Sequence, residues 1–163
     1  MESKVIMPMV ALRGVTIMPH TIVHFDISRE STIAAAKLAM ETNQKLFVVS
    51  QQNRDNTDGI SLENIYSVGC VVNIRQLVRM SRNLVRVMAD GERRANLLSV
   101  EEKDQILMAE LTVWEDRKLT EEENAAYVRS LMEELHACFS AGMKIGPEAF
   151  KNLKKIRQAS RMP

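Results

Sequence analysis

Residues 68–89 set the tightest constraint on what this chain can become. Two runs rich in β-branched residues, Val68-Gly69-Cys70-Val71-Val72-Asn73-Ile74-Arg75-Gln76-Leu77-Val78 and Leu84-Val85-Arg86-Val87-Met88-Ala89, flank a short polar connection at Ser81-Arg82-Asn83. That arrangement predicts a β-hairpin. Further short strands are expected over residues 5–12, 22–27, 45–50 and 105–114. The run Leu46-Phe47-Val48-Val49 is apolar without alternation and stops at a polar segment, as in a strand buried on both faces. A single helix, capped by Ser28 and running over about residues 29–43, carries Ile33, Ala34, Ala36, Leu38, Ala39 and Met40. It is apolar around most of its circumference and so is expected to pack against the strands. Residues 51–59 include Asn53, Asp55, Asn56, Asp58 and Gly59, which favour turns over ladders and predict a surface loop. Short strands, one helix and closely spaced turns favour a small, partly closed antiparallel β-barrel over a doubly wound sheet, in an α+β fold.

The pattern changes after Arg117, so residues 1–117 are read as a β-rich domain and 118–163 as the start of a helical region. Thr120-Glu121-Glu122-Glu123 fits a capping box, and its three acidic groups complement the helix dipole. Val128, Leu131, Met132, Leu135, Cys138 and Phe139 follow at helical spacing until Gly142, which suits a left-handed stop. Gly146-Pro147 begins a second helix, with Ala149, Phe150, Leu153 and Ile156 on its apolar face and Lys151, Lys154, Lys155 and Arg157 facing water. With that apolar face half-covered, the chain is expected to stop inside a larger helical region.

At 163 residues the chain suffices for one domain with an appendage, and 45% hydrophobic with 26% charged residues suits a packed core. A net charge of +1 supplies no overall attraction to nucleic acid or anionic membrane. No apolar run approaches the ~20 residues needed to span a bilayer, and Glu2 and Lys4 beside Met1 do not resemble a signal peptide, so a cytoplasmic protein is expected. The two cysteines, Cys70 and Cys138, form no Cys-x-x-Cys pair and are expected to be buried free thiols.

The segment Met7-Pro8-Met9-Val10-Ala11-Leu12-Arg13-Gly14-Val15-Thr16-Ile17-Met18-Pro19-His20 resembles the start of the amino-terminal domain of the ATP-dependent Lon proteases, in which a strand ends in Pro-Leu-Arg and leads to Phe-Pro-Gly. Here Ala11 stands in the proline's place, and Met18-Pro19-His20 replaces Phe-Pro-Gly. A second block, Val23-His24-Phe25-Asp26-Ile27-Ser28-Arg29-Glu30-Ser31, is similar to an apolar strand followed by Gly-Arg-Glu-x-Ser, with Ser28 for glycine. Leu62-Glu63-Asn64-Ile65-Tyr66-Ser67-Val68-Gly69-Cys70 resembles the family's Leu-Tyr-x-Val-Gly-Thr series, with Cys70 for threonine. Val85-Arg86-Val87-Met88-Ala89-Asp90-Gly91-Glu92-Arg93-Arg94-Ala95 resembles Val-x-Val-x-Val-x-Gly-x-x-Arg-Ala, with Gly91 and Arg94 in register. The four blocks stand in the family's order over about residues 7 to 98.

The resemblance implies a compact barrel of the type compared with RNA-binding PUA modules, followed by helices leading to an ATPase. It also implies a non-catalytic domain that binds unfolded or damaged protein for degradation in protein quality control. The implied parent is a hexameric ATP-dependent serine endopeptidase using ATP and Mg, so the partners would be substrate proteins, the rest of the Lon chain and other Lon subunits. For these 163 residues themselves, no catalytic residue, cofactor or metal is expected. Gly-x-x-x-x-Gly-Lys-Ser/Thr is absent from the sequence, and Ser50 and Lys45 sit in no recognisable nucleophile setting. His20, His24 and Asp26, spaced by four and two, converge on a metal only if the chain bends, and are read as loop and strand-surface residues.

A surface that holds many unfolded sequences must be apolar and adaptable, and methionine, of which there are 11, suits it. Met18, Pro19 and Ile22 after the first strand and Met80 at the hairpin tip are the candidate substrate contacts. Methionine also fills irregular cores, so exposure decides between the two roles. Arg75, Arg79, Arg82 and Arg86 make the hairpin basic. Even spacing allows Arg75 and Arg79 to share a face, open to acidic peptides, a neighbouring subunit, nucleic-acid phosphate or plain solvent. The alternative function is a stand-alone PUA-like module binding RNA or a small ligand, although the scarcity of nearby aromatics for base stacking makes nucleic acid the weaker reading.

Overall fold

A computed structural model describes residues 4–52 and 60–159, with side chains described as far as Lys154 in the last helix. The expected loop at 51–59 therefore lies, from residue 53 on, outside the described residues, as do the side chains of Lys155, Ile156 and Arg157. Two compact units are present, Met1–Asp116 and Arg117–Pro163.

The first unit contains β1 (Lys4–Leu12), β2 (Ile22–Ile27), α1 (Glu30–Glu41), β3 (Lys45–Ser50), β4 (Val68–Ser81), β5 (Leu84–Lys103) and β6 (Ile106–Val113). The strands lie in the order β2-β5-β4-β3-β1-β6, and β6 also pairs with β5. Five strands thus close a ring while β2 hangs from the outside of β5, which gives the partly closed barrel that the strand pattern predicts. One pair departs from the antiparallel expectation, because β1 runs parallel to β3, with Met9 beside Phe47 and Leu12 beside Ser50. Parallel neighbours need a crossover, and β2 with α1 supplies it.

Alternation along the strands feeds two cores. One gathers Val10, Leu12, Phe25, Ile27, Leu46, Val72, Ile74 and Val87 with Ala35, Ala36 and Ala39 of α1. The other draws on all five ring strands without the helix, centred on Met9, Phe47, Val71, Leu97 and Leu111. Phe47 and Leu46 are fully buried on opposite faces, which explains the unbroken apolar run in β3. Gly69 stands against this packing, where a Cβ would fall 2.5 Å from both the Phe47 ring and the Val48 carbonyl oxygen.

The helix cap differs from expectation. The first helical bond runs from the Ile33 N–H to the Arg29 carbonyl, so Arg29, and not Ser28, is the capping position, and it makes no side-chain cap bond. Ser28 sits one residue too early because β2 keeps pairing through Ile27. β5 is also longer than the sequence suggests. The expected run stops at Ala89, yet the strand continues through Asp90-Gly91 to Lys103, 20 residues in all.

In the second unit α2 (Glu121–Ser140) is followed by α3 (Pro147–Ala159). The capping box forms as expected, with the Glu123 N–H donating to Thr120 Oγ1 at 3.2 Å and the Thr120 N–H donating to the Glu123 carboxylate at 3.0 Å. Those bonds, that from the Thr120 backbone first and then the Arg117 guanidinium, hold the Glu123 carboxyl below its ordinary range. Gly142 takes φ +86°, and the Gly142 and Met143 amides donate to Phe139 and Cys138, a Schellman ending. Phe150 of α3 packs edge-on to Phe139, centroids 6.4 Å apart, and 5.0 Å from His136. Cys138 is only half-buried, so of the two thiols Cys70 alone matches the buried expectation.

Candidate functional site

The segment between β1 and β2 is pinned from several sides. Arg13 Nε donates to Gln51 at 2.9 Å, Ser50 Oγ donates to the Val15 carbonyl at 2.6 Å, and Ile17 is buried in the α1-side core. Thr21 Oγ1 donates to the Met18 carbonyl at 2.6 Å, closing the bend. The His20 N–H then donates to the Gly91 carbonyl, and the Gly91 N–H to the Thr21 carbonyl, each at 2.8 Å. Gly91 is where the bend touches β5, since a Cβ there would lie 2.2 Å from the Met18 oxygen. This close approach, and not a turn, is what requires the glycine in mid-strand.

His20 has φ +60°, the left-handed region that glycine enters freely. The replacement of glycine by histidine in Met18-Pro19-His20 therefore preserves the bend at the cost of backbone strain. Two apolar side chains are left on this rigid bend, Met18 at 46% and Ile22 at 72% exposure, with Pro19 half-buried between them. His20 Nε2 stands 3.7 Å from the Asp116 carboxylate, which brings the segment after β6 beside the bend. The half-exposed Trp114, whose N–H donates to Arg94 three residues along β5 from Gly91, belongs to the same neighbourhood. Sequence reasoning missed it because only the strand register brings residue 114 to β5.

Met80 is exposed but stands apart from the other three candidates. Ile22 pairs with Asp90, whereas Ser81 pairs with Leu84, so about 20 Å of β5 separates the two places. The shared face that even spacing allows Arg75 and Arg79 does not form. A bulge between Ile74 and Gln76 shifts the alternation, leaving Arg75 in an ion pair with Asp90 and placing Arg79 opposite Val85 on the side facing α1. Arg86 binds Asp26 through two nitrogens, Nε at 2.8 Å and Nη2 at 2.9 Å, and this guanidinium holds the Asp26 carboxyl below its usual range. Arg79 donates to the Arg82 carbonyl at the turn. Two of the four arginines are thus matched by carboxylates, and nothing in this geometry favours RNA.

A cleft of about 540 Å³ opens between β1 and β2 and is lined by residues 10–13 and Val15, by residues 24–29 with Thr32, and by Gln51 and Arg86. No residue pattern announces it, because it lies where β1 and β2 diverge. Most of the remaining sequence candidates have structural partners, and His24 stands exposed on β2. Lys45 pairs with Glu92, Ser50 holds the bend, and Asp26 is engaged by Arg86 while His20 faces Asp116. Among the described residues no group of three or more His, Cys, Asp or Glu side chains is placed to hold a metal ion. Among the described residues no helix is long and apolar enough to cross a membrane.

Comparison with known proteins decides the family. The model of the ATP-dependent protease La (LON) substrate-binding domain matches residues 6–162. The chain belongs to this family. Lon protease of Lachnoclostridium phytofermentans is 32% identical over 158 residues, covering 96% of this chain and 19% of that protein. Lon protease of Vibrio parahaemolyticus is 30% identical over 161 residues, covering 99% of this chain and 20% of its own length. The chain therefore spans about a fifth of these Lon proteases. Among solved structures, the N-terminal domain of Mycobacterium avium complex Lon protease shares the fold with a TM-score of 0.65 at 18% identity, over 96% of this chain and 76% of that one. The Lon N-terminal domain protein from Xanthomonas campestris does so at 0.56 and 14% identity, over 78% of this chain and 73% of that one. This is a substrate-binding Lon domain rather than the catalytic part of such a protease, and no comparison favours the RNA-binding alternative.

Proposed function

We propose that this domain holds exposed apolar segments of unfolded or damaged proteins and presents them to the ATPase and serine peptidase of a cytoplasmic Lon protease. The observation that supports this reading is the bend at residues 18–22, where Met18 and Ile22 are exposed on a backbone fixed by two hydrogen bonds to Gly91. A pinned backbone loses little freedom on binding, while a methionine side chain adapts to varied partners. Met80 and the hairpin arginines are secondary contacts, given the distance of Met80 from the bend and the carboxylates that engage Arg75 and Arg86. ATP and Mg, and assembly with other Lon subunits, belong to the parent enzyme in this reading.

The test is fluorescence anisotropy with a permanently unfolded, carboxymethylated protein against its folded form. Selective binding of the unfolded form, weakened about tenfold by Met18→Ser with Ile22→Ser, is expected. Equal binding of both forms, or no effect of the double substitution, contradicts the assignment.

A further inference from the structure

The cleft between β1 and β2 is bounded by two strand edges. Among the described residues β2 is the last strand of the sheet and pairs with β5 alone. The Gly91 N–H donates to the Thr21 carbonyl, which fixes Thr21, Val23, Phe25 and Ile27 as the residues whose main chain faces β5. The main-chain groups of Ile22, His24 and Asp26 therefore point to the open edge. On the other wall, the β1–β6 ladder ends at the Pro8–Met108 pair, while the Gln51 N–H donates to the Leu12 carbonyl. Leu12 and Val10 turn their main chain toward β3, and Ala11 turns its own the other way.

Both walls line the cleft with consecutive residues, 10–13 and 24–27, so side chains of both strand faces border it. A strand face presents alternate residues; only an edge presents successive ones. Unpaired edges are templates for another strand, and natural proteins block them with charge, bulges or covering segments. Leu12, Phe25 and Ile27 give this one an apolar floor. Among the described residues its rim carries Arg29 beside the Arg86–Asp26 ion pair. A cleft of 540 Å³ lies within the ~300–1,000 Å³ of ordinary ligand sites.

We infer that this cleft takes an extended, apolar peptide segment flanked by acidic residues, which adds as a strand to the free edge of β2. Main-chain bonds to His24 and Asp26 hold it without regard to sequence, its apolar side chains drop toward Phe25 and Ile27, and its carboxylates meet Arg29. The inference rests on the substrate-binding reading and deepens it. The bend captures apolar side chains, and the adjoining edge captures the backbone that carries them.

The probe is a ten-residue peptide alternating valine and glutamate, compared with the same peptide N-methylated at every second amide. His24→Pro removes an edge donor that makes no bond to β5, so a proline is tolerated there, and His24→Ala keeps the donor. The expected result is micromolar binding that falls at least tenfold on N-methylation and with His24→Pro, while His24→Ala stays within twofold. Equal binding of the parent and N-methylated peptides overturns strand addition whether or not His24→Pro folds. So does protection of the His24 amide by concentration-dependent pairing of two copies of this chain. If strand addition fails while the carboxymethylated protein still binds and responds to Met18→Ser, the bend reading stands alone.

Discussion

Gly91→Ala is the sharpest test of how the fold builds the bend. The new methyl would sit 2.2 Å from the Met18 oxygen and 3.1 Å from its carbonyl carbon, both backbone atoms that no rotamer change can move. The bend must lift by roughly 1 Å or more to restore ordinary contact, which breaks the His20-to-Gly91 and Gly91-to-Thr21 hydrogen bonds. Each contributes about 0.5–1.5 kcal/mol, so the loss is about 1–3 kcal/mol. Alanine restricts the unfolded chain, which offsets about 0.4–1 kcal/mol. The net destabilisation is about 1–2 kcal/mol, readable as a lower urea midpoint with an unchanged slope. Hydrogen exchange at His20 should accelerate, and affinity for unfolded protein should fall with it. Gly69→Ala is the comparison, because its clash is with Phe47 and Val48 and should lower stability without freeing the His20 amide. A Gly91→Ala protein of unchanged stability, with His20 still protected, would refute the reasoning.

Three further outcomes are expected. His20→Gly should stabilise by about 0.5–1 kcal/mol in denaturant melts, since the left-handed backbone costs a side-chain-bearing residue about 1–2 kcal/mol and glycine's extra chain entropy returns about 0.5–1 kcal/mol of it; clear destabilisation would contradict the strain argument. Thr120→Ala should cost α2 about 1 kcal/mol, seen as faster exchange at Glu123. Because the folded Glu123 carboxyl titrates below its unfolded value, its contribution is full above the ordinary glutamate range and is lost as pH falls through the lowered value, so wild-type α2 should fray on that acid limb. A thiol reagent should modify half-exposed Cys138 in the native protein and spare Cys70, whose thiol burial pushes up, until unfolding; early labelling of Cys70 would show that the core is open.

Local patterns carried much of the fold. The hairpin, the consecutive apolar run of β3, the Thr120 capping box, Gly142 and Pro147 each act through neighbours a few residues away, and each stands where the sequence puts it. What depends on register was not legible. The bulge at Arg75, the parallel β1–β3 pair and the passage of β5 straight through Asp90-Gly91 are settled by contacts between distant segments. The candidate site divides along the same line. Met18, Pro19 and Ile22 are adjacent in sequence and remain together, whereas Met80, the arginine face and the cleft between β1 and β2 depend on which strands meet.

The most direct measurement of the central claim is NMR of the chain carrying 13C-labelled methionine methyl groups, titrated with the carboxymethylated unfolded protein. Exposed Met18 and Met80 and the buried pair Met7 and Met9 report from three separate places. The account predicts a saturable shift of the Met18 methyl, little change at Met80, and silence from Met7 and Met9. Saturation at Met80 with Met18 unmoved, or no saturable shift at all, would contradict it.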